Sequence, residues 1–599
     1  MKLSDYVMQF VAEQGVKHVF MLPGGGAMHL NDSLGKRRAE IEFVCNLHEQ
    51  ACAVAAEAYS RVTNDLAACM VTAGPGGTNT ITGVAAAWLD STPVLFLSGQ
   101  AKRADLKGDR GLRQLGVQEI DLVSIVTPIT KYAVTVTEPE RIRYHLEKAV
   151  HLARGGRPGP VWIDLPLDVQ ASQVNPNEME GFKPPTENVD DAICLGELAT
   201  KTIELLNAAE RPVILVGNGV RLAGAEQLFH QLADATQIPI LTTRLGVDLL
   251  PADHPLCFGM PGGIASRASN FTLQNSDFLL VLGARLDMAL IAYAPERLAR
   301  AAKKVMVNID GAEIHKLGSI IDVAVAADAK SFVTAMLSRR ETIVAHARSP
   351  WLERCRAWRA RYPFVTAEQR NQSDAINTYA FSTILSEEAA EGDIILPGSS
   401  GLAVEIFLTA FKSKRGQRIF HNKGTGAMGL AQPAAIGACL AGGRRRTICI
   451  DGDGGFLMNI QELETVKRLD LPIKFFVLNN DCYASIRTSQ TNYFGQLVAA
   501  DESSGLSLPD LVTVSKAFGI EARRLTQPET LRDEIRAILD GDGPFVCEIV
   551  VPPAEPRIPS VRSTQRPDGS MVSKPLEDLY PFLDREEFRE NMLIPVLEE

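Results

Sequence analysis

Two neighbouring segments decide the fold: residues 447–455, with the sequence TICIDGDGG, and residues 473–480, with the sequence IKFFVLNN. Each begins as a short apolar run rich in β-branched and aromatic residues, which predicts a buried strand, and each ends in polar residues. Asp453 and Asn480 are 27 positions apart, which leaves room for a turn, a helix and the second strand. The spacing therefore predicts a parallel βαβ unit that brings both side chains to the carboxyl edge of one sheet.

The side chains at this edge are suited to a metal ion. Asp453 and Asn480 offer one carboxylate and one amide oxygen, and Mg²⁺ prefers such hard oxygen ligands. Because Mg²⁺ keeps few protein ligands and completes its octahedron with phosphate oxygens, the pair predicts a magnesium–diphosphate site. Gly452, Gly454 and Gly455 would let backbone amides approach the diphosphate. The alternative is a βαβ unit whose strands simply end in glycine turns and polar residues.

The rest of the chain repeats the pattern of short apolar strands separated by helices. This pattern predicts an α/β fold with three doubly wound parallel-sheet domains. A stretch rich in Pro, Asn and Glu (175–189) and a charged helical stretch (339–363) predict linkers between the domains. The predicted units are a first domain over 1–174, a central nucleotide-binding-like domain over 190–345, a third domain over 365–552 and a C-terminal arm over 553–599.

Composition narrows the class of protein. The 599 residues carry 61 basic and 72 acidic side chains, a net charge of −11, whereas nucleic-acid binders normally show a basic excess. None of the 10 cysteines forms a C-x-x-C pair, so structural zinc and a disulfide scaffold are poorly supported. Apolar runs are too short to cross a bilayer, and the first residues show no signal-peptide pattern. We therefore expect a cytoplasmic protein with neither nucleic acid nor membrane as a partner.

A second informative stretch is residues 46–56, with the sequence NLHEQACAVAA. Glu49 falls in the first turn of a helix whose other residues are nearly all small and apolar. An acid there stabilises the positive end of the helix dipole, so a structural role is one interpretation. The glycine-rich loops 23–26 and 74–77 fall at the carboxyl ends of predicted strands, where functional loops of parallel sheets lie. A third such loop is 424–429, with the sequence GTGAMG.

Together these motifs resemble the thiamine-diphosphate-dependent enzymes, and nearly the whole chain is similar to the acetohydroxyacid (acetolactate) synthase group. Residues 452–454 (GDG) followed by 479–480 (NN) resemble the metal–diphosphate motif of the family. By this resemblance Asp453 and Asn480 bind Mg²⁺ through their side chains, and Cys482 binds it through its backbone carbonyl. The first domain would bind the pyrimidine of the cofactor and the third its diphosphate. The other synthase-like stretches are 23–26, 74–79, 89–94, 98–100, 157–161, 164–166, 274–277, 283–287 and 308–310.

The resemblance implies roles for residues around the cofactor. Glu49 would hydrogen-bond N1′ of the cofactor pyrimidine and so activate the cofactor. Gly426 would offer its carbonyl to the 4′-amino group, and Met428 would wedge between the two rings to hold the cofactor bent. Gln118 completes the implied catalytic residues. The implied cofactor contacts are Pro75, Asn79, Ser399, Ser400, Gly401, Gly424, Gly452, Gly454, Gly455, Ala484, Ser485 and Ile486.

The middle segment resembles the flavin-binding domain of the synthases. This resemblance implies FAD as a further cofactor. The alternative is an empty nucleotide-like domain, as in other thiamine enzymes. The implied flavin contacts are Arg157, Gly217, Gly219, Arg285 and Asp310.

The chain departs from the synthases on the substrate side. Ala289 stands where they carry the arginine that binds the carboxylate of the second ketoacid, and Ser489 stands where they carry the tryptophan that selects 2-ketobutyrate. Val117 stands where they carry a phenylalanine. A site without the carboxylate-binding arginine should lose much of its affinity for an acidic acceptor, so we expect a different acceptor. The implied substrate-side residues are Gly25, Gly26, Val117, Gln118, Ser485 and Ile486.

These features predict a thiamine-diphosphate-dependent carboligase. It would decarboxylate pyruvate or a similar 2-ketoacid and transfer the hydroxyethyl or acyl unit to a carbonyl acceptor, which in one resembling subgroup is a nucleotide-linked ketosugar. The alternatives are a non-ligating decarboxylase, a C–C lyase or hydrolase, and an inert homologue that acts as a binding or regulatory subunit. The resemblance also implies a homodimer or homotetramer. Residues 570–582 predict an arm that docks over the active site or packs elsewhere on the surface.

Overall fold

A computed structural model describes residues 1–185, 191–344, 348–565, 569 and 571–597. The end of the first predicted linker, a short piece of the second and Ser570, the first residue of the predicted covering arm, lie outside the described residues. Three sheets follow one another along the described chain, and the strands within each of them pair in parallel. This architecture is the predicted α/β fold of three parallel-sheet domains.

The first sheet has six strands in the order β2-β1-β3-β4-β6-β5. Its strands are β1 His18–Met21, β2 Glu42–Cys45, β3 Ala67–Val71, β4 Val94–Gln100, β5 Tyr132–Thr135 and β6 Val161–Pro166. The middle sheet has five strands in the order β11-β10-β9-β7-β8. Its strands are β7 Pro212–Val216, β8 Ile240–Thr242, β9 Phe278–Leu282, β10 Lys303–Asn308 and β11 Val323–Ala326.

The third sheet has six strands in the order β13-β12-β14-β15-β17-β16. Its strands are β12 Ile394–Pro397, β13 Arg418–Ile419, β14 Thr447–Gly452, β15 Ile473–Asn479, β16 Glu521–Leu525 and β17 Phe545–Val550. The two strands that precede Asp453 and Asn480, β14 and β15, are neighbours, and Gly452 pairs with Leu478. A short antiparallel hairpin of β18 Ser563–Gln565 and β19 Met571–Ser573 follows in the arm.

Helices cover the sheets and connect their parallel strands. In the first domain they are Leu3–Glu13, Met28–Lys36, Glu49–Thr63, Pro75–Thr78, Ile81–Leu89, Leu122–Val126, Ile142–Arg154 and Leu167–Ala171. In the middle of the chain they are Asp191–Ala208, Gly219–Leu222, Glu226–Thr236, Arg267–Gln274, Gly311–His315, Ala329–Leu337 and Ser349–Arg361. In the third domain and the arm they are Ala367–Arg370, Thr378–Glu388, a π-helix Leu402–Phe407, Leu408–Ala410, Ala431–Ala441, Asp453–Leu457, Glu462–Arg468, Ala484–Tyr493, Leu511–Ala517, Leu531–Asp540 and Arg585–Glu590. Within the described ranges, none of these helices combines the length and the apolar character needed to cross a membrane.

The first and third domains meet through two helices made of small residues. Helix Glu49–Thr63 packs along helix Ala431–Ala441. At Gly437 any side chain would overlap the carbonyl oxygen of Ala55, so the two backbones are in contact. The small residues that follow Glu49 therefore serve a close helix–helix contact between domains, in which interior packing density leaves no room for larger side chains.

The second predicted linker is helical, as expected, but it is not free of the domains. Helix Ser349–Arg361 buries Trp351 and Trp358. The Trp351 indole nitrogen donates to the Pro212 carbonyl at 3.1 Å, which anchors the helix at the start of β7. The segment therefore packs against the middle domain. Its two buried tryptophans supply the apolar contact, although several of the residues around them are charged.

The described part of the C-terminal arm lies on the middle domain. The Asn270 side chain donates to the Leu576 carbonyl at 2.7 Å. Gln274 and Arg300 donate to the Glu577 carboxylate at 2.7 and 2.6 Å. Of the two interpretations of this arm, the structure therefore favours packing elsewhere on the surface over docking above the active site, because its buried acid and carbonyl find their partners on helix Arg267–Gln274 and beside it.

Candidate active site

Asp453 and Asn480 meet at the carboxyl edge of the third sheet. Asp453 is the first residue after β14 and begins helix Asp453–Leu457, while Asn480 directly follows β15. Both are buried, with exposed fractions of 3% and 4%. The backbone N–H of Asn480 donates to Asp453 Oδ2 at 3.1 Å, and the N–H of Gly454 donates to Asp453 Oδ1 at 2.7 Å. The side chains that sequence spacing predicts to converge do lie together.

Three oxygen atoms face one another at this edge. As the Asn480 amide is oriented, its side-chain oxygen lies 2.9 Å from the Cys482 carbonyl oxygen and 3.3 Å from Asp453 Oδ2. None of these atoms is a donor, so their approach is unfavourable unless something positive lies between them. Turning the amide over would supply N–H donors, and a bound cation would satisfy all three oxygens at once. The three residues are those that sequence reasoning selected as metal ligands.

Burial adds to the electrostatic cost at this edge. It raises the pKa of Asp453 to about 6 and that of the neighbouring Asp451 to about 7. A carboxylate taken out of water without a cation favours its protonated form, whereas a nearby positive charge favours the ionised form. The donor set of one carboxylate, one amide oxygen and one carbonyl oxygen therefore fits Mg²⁺, whose remaining positions phosphate oxygens can fill.

The predicted diphosphate loops surround the three oxygens. Ser400 lies against Gly452, where a side chain would come within 3.0 Å of the serine Cβ. Gly401 lies against Ser485, whose hydroxyl oxygen would be 2.6 Å from a Cβ at that position. Ser399 precedes these residues, and Ala484, Ser485 and Ile486 begin helix Ala484–Tyr493, which buries none of its residues. These predicted cofactor residues line one open edge.

Three of the predicted glycines are explained by packing alone. At Gly454 any side chain would overlap the ring of Tyr483, and at Gly424 it would overlap Leu89 in the first domain. A Cβ at Gly455 would lie 2.7 Å from Asp451 Oδ1. Close packing of strand ends is thus sufficient to require glycine at these positions, whatever else binds there.

Glu49 occupies the first position of helix Glu49–Thr63. It is buried, with 8% of its surface exposed. The His48 ring nitrogen caps the helix by accepting from the Gln50 N–H at 3.1 Å. The Asn79 side chain donates to Glu49 Oε2 at 3.0 Å, and Asn79 directly follows the short helix that Pro75 begins. Glu49, Pro75 and Asn79 therefore form one cluster, as the predicted pyrimidine-side residues should.

Asn459 ties the loop at 424–429 to the Glu49 helix. Its side-chain amide donates to the Gly429 carbonyl at 2.6 Å and to Gln50 Oε1 at 3.0 Å. Within the loop, Gly426 has φ +58° with open space around it, a conformation that glycine adopts without strain. Met428 in the same loop is half-buried. The predicted Gly426 and Met428 are thus held beside the helix that Glu49 begins.

Glu462 joins the same two domains and was not predicted. It is fully buried and accepts from the Asn46 side chain and from the Leu47 N–H, both at 2.9 Å. It therefore fixes the strand-to-helix turn that leads to Glu49. The available signal is three polar residues within 459–462 (NIQE), which follow the glycine-rich edge after the apolar stretch 456–458.

The substrate-side residues of the first domain form an open edge of the first sheet. Val117 has 89% of its surface exposed, and Gln118 has φ +58°. The Gln118 carbonyl lies against Gly74, where a Cβ would be 2.6 Å away. The Gly26 N–H donates to the Thr72 hydroxyl at 3.1 Å, while the adjacent Gly25 is exposed. In a single chain these residues face solvent.

Arg557 reaches the diphosphate edge from the C-terminal segment and was also missed. Its guanidinium donates to Ser485 Oγ at 3.1 Å and to Glu405 at 2.5 Å. The Tyr379 hydroxyl contacts both sides of it, donating to the Pro556 carbonyl at 2.8 Å and lying 2.9 Å from the N–H of residue 558. No sequence pattern signals this contact, because Arg557 lies 72 positions from Ser485.

The predicted flavin residues lie around a cavity between the first and middle domains. Arg157, Gly219 and Arg285 line it. Gly217 packs against the Gly283 backbone instead. Asp310 is not in the lining; it accepts from Arg157 at 2.8 Å. The structure therefore brings three of the five predicted contacts to the cavity and places the other two behind it.

Family models match the chain in three segments. Residues 1–125 match a thiamine pyrophosphate enzyme N-terminal TPP binding domain. Residues 199–336 match the central domain of these enzymes, and residues 399–549 match their C-terminal TPP binding domain. The matches follow the order of the three sheets.

Curated relatives are similar over almost the whole chain. The "Probable acetolactate synthase large subunit" of Methanocaldococcus jannaschii is 31% identical over 93% of this chain and 94% of its own length. The acetolactate synthase large subunit of Lactococcus lactis is 30% identical over 93% and 94%. Acetolactate synthase 1 of Zea mays is 31% identical over 94% of this chain and 87% of its own length.

Proposed function

Because the chain belongs to the thiamine pyrophosphate (thiamine diphosphate) enzyme family, we propose that it is a carboligase. It decarboxylates pyruvate or a similar 2-ketoacid and transfers the two-carbon unit to a carbonyl acceptor. The observation that carries this proposal is the convergence of the Asp453 carboxylate, the Asn480 side-chain amide and the Cys482 carbonyl at the edge of the third sheet. The names of the similar synthases support carboligation in particular.

Mg²⁺ is the proposed ligand of the three oxygens. Asp453 and Asn480 would bind it through their side chains and Cys482 through its carbonyl, in keeping with their arrangement in the structure. Ser399, Ser400, Gly401 and the first residues of helix Ala484–Tyr493 would bind the diphosphate. Thiamine diphosphate supplies, when bound, the nucleophilic carbon and the electron sink that 2-ketoacid decarboxylation needs.

Glu49 is the proposed proton-handling residue. Its Oε2 accepts from Asn79, which leaves Oε1 for the cofactor pyrimidine. Burial beside a helix of small residues keeps water away from this carboxyl, so that a proton can pass between Oε1 and a bound ring nitrogen. The loop with Gly426 and Met428 would hold the cofactor rings against it.

FAD is the proposed ligand of the cavity between the first and middle domains. Arg157, Gly219 and Arg285 line that cavity and support the proposal. Both arginines already have acidic partners, since Glu313 accepts from Arg157 and from Arg285 at 3.0 Å each. A flavin would therefore gain less from their charge than from bare arginines. The visible absorption spectrum of the purified protein tests for flavin directly.

The proposed assembly is a homodimer or homotetramer in the cytoplasm. Predicted site residues of a single chain, such as Val117 and Ile486, are exposed, and so is Phe494 at the end of helix Ala484–Tyr493. Apolar side chains around an open site favour completion of that site by a second copy. Light scattering of the purified protein at several concentrations measures the assembly.

Product analysis tests the proposed reaction. The protein is incubated with labelled pyruvate, thiamine diphosphate, Mg²⁺ and a panel of carbonyl acceptors, and products are identified by mass spectrometry. We expect a ligated product that contains the two-carbon unit. Free acetaldehyde without any ligated product would favour the decarboxylase alternative, and cleavage of a dione would favour the lyase or hydrolase. An inert homologue would leave pyruvate unchanged.

A further inference from the structure

Arg244 is an unpaired cation at the cavity between the first and middle domains. It lines the cavity together with Arg157, Arg285 and Lys423. Among the residues that the structure describes, it has no hydrogen-bond or salt-bridge partner. Burial lowers its pKa, although the charges of Glu405 and Asp287 oppose that effect. A guanidinium with this little compensation at a cavity wall is suited to an anionic ligand.

The other three cations of the cavity are already balanced. Arg157 donates to Asp310 and to Glu313, at 2.8 and 3.0 Å. Arg285 donates to Glu313 at 3.0 Å. Lys423 donates to Asp287 at 3.3 Å. The positive charge left for a ligand in this cavity is therefore concentrated at Arg244.

The surroundings of Arg244 place it next to the proposed active site. The charge of Glu405 acts on Arg244, and the carboxylate of Glu405 accepts from Arg557 at 2.5 Å. Arg557 in turn donates to Ser485 at 3.1 Å, a predicted diphosphate and substrate residue. Glu405 and Arg557 thus link Arg244 electrostatically to the edge of the third sheet.

Ala289 lines the same cavity as Arg244. This alanine stands where the resembling synthases carry the arginine for the acceptor carboxylate. Gly262 and Gly263 also line the cavity, and the Gly263 carbonyl accepts from the Val561 N–H at 2.7 Å, on the same C-terminal segment that carries Arg557. Ala289, which stands in place of the synthase arginine, and Arg244, which has no partner in the described chain, therefore line the same cavity.

We propose that Arg244 binds the anionic group of the acceptor and determines acceptor specificity in place of the arginine absent at position 289. The anionic group is a carboxylate or a phosphate, since a guanidinium binds either through paired N–H donors. The inference rests on the proposed carboligase function and places the acceptor in the cavity proposed for FAD, so the acceptor assays are run both with and without added FAD. No covalent step is assigned to Arg244: it binds and orients the acceptor.

The test compares Arg244→Met and Arg244→Lys with the wild type. Arg340→Met is the matched control, because the Arg340 side chain is 69% exposed and contacts only its neighbour Glu341 among the salt bridges of the described chain. Each protein, with thiamine diphosphate and Mg²⁺, receives pyruvate and one acceptor from two matched pairs. The pairs are 2-ketobutyrate with 2-butanone, and glyceraldehyde 3-phosphate with glyceraldehyde. The first pair isolates a carboxylate and the second a phosphate.

We expect Arg244→Met to lower kcat/KM for at least one anionic acceptor by about 10- to 100-fold, the size typical of a lost charge-assisted hydrogen bond. The uncharged partner of that acceptor should be unaffected, whereas ligation of two pyruvates should fall with the anionic acceptors, because pyruvate also carries a carboxylate. Arg244→Lys should retain part of the preference for the anion. Equal losses for charged and uncharged acceptors, or no loss for either anion, would overturn the inference.

Thermal unfolding separates this inference from the proposed function. Inorganic phosphate or acetate should raise the Tm of the wild type more than that of Arg244→Met, and Arg244→Met should not lower the Tm, because no partner is lost. A variant that unfolds, or anions that stabilise both proteins equally, would contradict the assignment of Arg244. If the wild type consumes pyruvate but ligates it to no acceptor, the carboligase proposal fails while the Tm shifts still report on Arg244.

Discussion

The edge of the third sheet and the cavity beside the middle domain balance their charges differently. At the sheet edge, the Asp453 carboxylate lies beside the Asn480 amide and the Cys482 carbonyl and has no salt bridge to a residue of the described chain. In the cavity, Arg157 and Arg285 share the carboxylate of Glu313. The negative charge at the sheet edge is left for a ligand to balance, whereas acidic side chains balance most of the cations in the cavity.

Polar atoms without a partner are therefore a better guide to a ligand-binding site than glycine-rich loops. Both regions have such loops at strand ends, and packing explains several of their glycines: Gly217 packs on Gly283, and Gly454 packs on Tyr483. An uncompensated oxygen or guanidinium has no such structural explanation, because its burial costs free energy that only a partner returns. Arg244 is the exception that gives the cavity a ligand-binding end.

Removing the carboxylate from the sheet edge should have the largest effect. Asp453→Ala should lower turnover by about 1000-fold or more and abolish retention of thiamine diphosphate, because it removes the only charged oxygen of the proposed metal site. Cofactor content after desalting and the rate of pyruvate consumption measure the two effects. Asp533→Ala is the control, since the Asp533 side chain is 84% exposed. Normal cofactor retention in Asp453→Ala would break the comparison.

Changing the proton-handling group should have the next largest effect. Glu49→Gln should lower turnover by about 100- to 10,000-fold, as expected for loss of general acid–base chemistry. It should leave the affinity for the cofactor close to that of the wild type, because the sheet edge is intact. Titration of the apoprotein with thiamine diphosphate and steady-state assays measure the two quantities. Turnover equal to that of the wild type would refute the role of Glu49, and Glu40→Gln on the surface is the matched control.

Removing the negative charge of Glu313 should leave charge in the cavity that a ligand can balance, as at the sheet edge. Glu313→Gln leaves Arg157 paired with Asp310 but removes the salt-bridge partner of Arg285 in the described chain, so affinity for FAD or ADP should rise by about tenfold. Calorimetric titration measures it. Glu296→Gln is the control, because the Glu296 side chain is 70% exposed. Unchanged or weaker nucleotide binding in Glu313→Gln would show that these arginines do not contact the ligand's phosphates.

The smallest expected effect is a change in the pH dependence of stability, and it comes from Glu555 in the segment that carries Arg557. Burial raises the pKa of Glu555 to about 7, and this carboxyl accepts from the Thr378 N–H at 2.8 Å. Between the unfolded pKa of about 4.5 and about 7 the folded state binds more protons, so stability should fall as pH rises through this window and stay level above it. Glu555→Gln should flatten that dependence by about 3 kcal/mol, since a pKa raised from 4.5 to about 7 is worth about 1.4 kcal/mol for each unit.

Urea unfolding at several pH values between about 4.5 and 8 measures this dependence. Glu529→Gln, a change in an exposed acid of the third domain, should keep the slope of the wild type. A Glu555→Gln protein with an unchanged slope would show that Glu555 does not titrate in this window.

Much of the fold follows from hydrophobic pattern. The segments 447–455 and 473–480, each predicted to begin as a buried strand, are observed to begin as β14 Thr447–Gly452 and β15 Ile473–Asn479. The strands that the pattern did not reveal are short or carry exposed charges, such as the two-residue β13 and the Arg-rich β16. Edge strands bury one face or less, so their apolar signal is weak.

The candidate site also contains residues whose proximity the sequence could predict and residues whose proximity it could not. Asp453 and Asn480 could be paired from spacing, because parallel strands bring their ends to one edge whatever the rest of the chain does. Arg557 and Glu462 could not, because their contacts join residues far apart in sequence. The covering role considered for the arm depends on contacts of the same kind, and Glu577 makes its contacts on the middle domain.

The sequence by itself determined three parallel sheets and the convergence of Asp453 and Asn480, because apolar periodicity and strand spacing are local properties. Only the tertiary structure decided which charges are neutralised before any ligand arrives. Within the described ranges Arg157 and Arg285 have salt-bridge partners and Arg244 has none, although no local sequence pattern distinguishes the three. Pairing depends on distances across domain boundaries, and no local pattern encodes those distances.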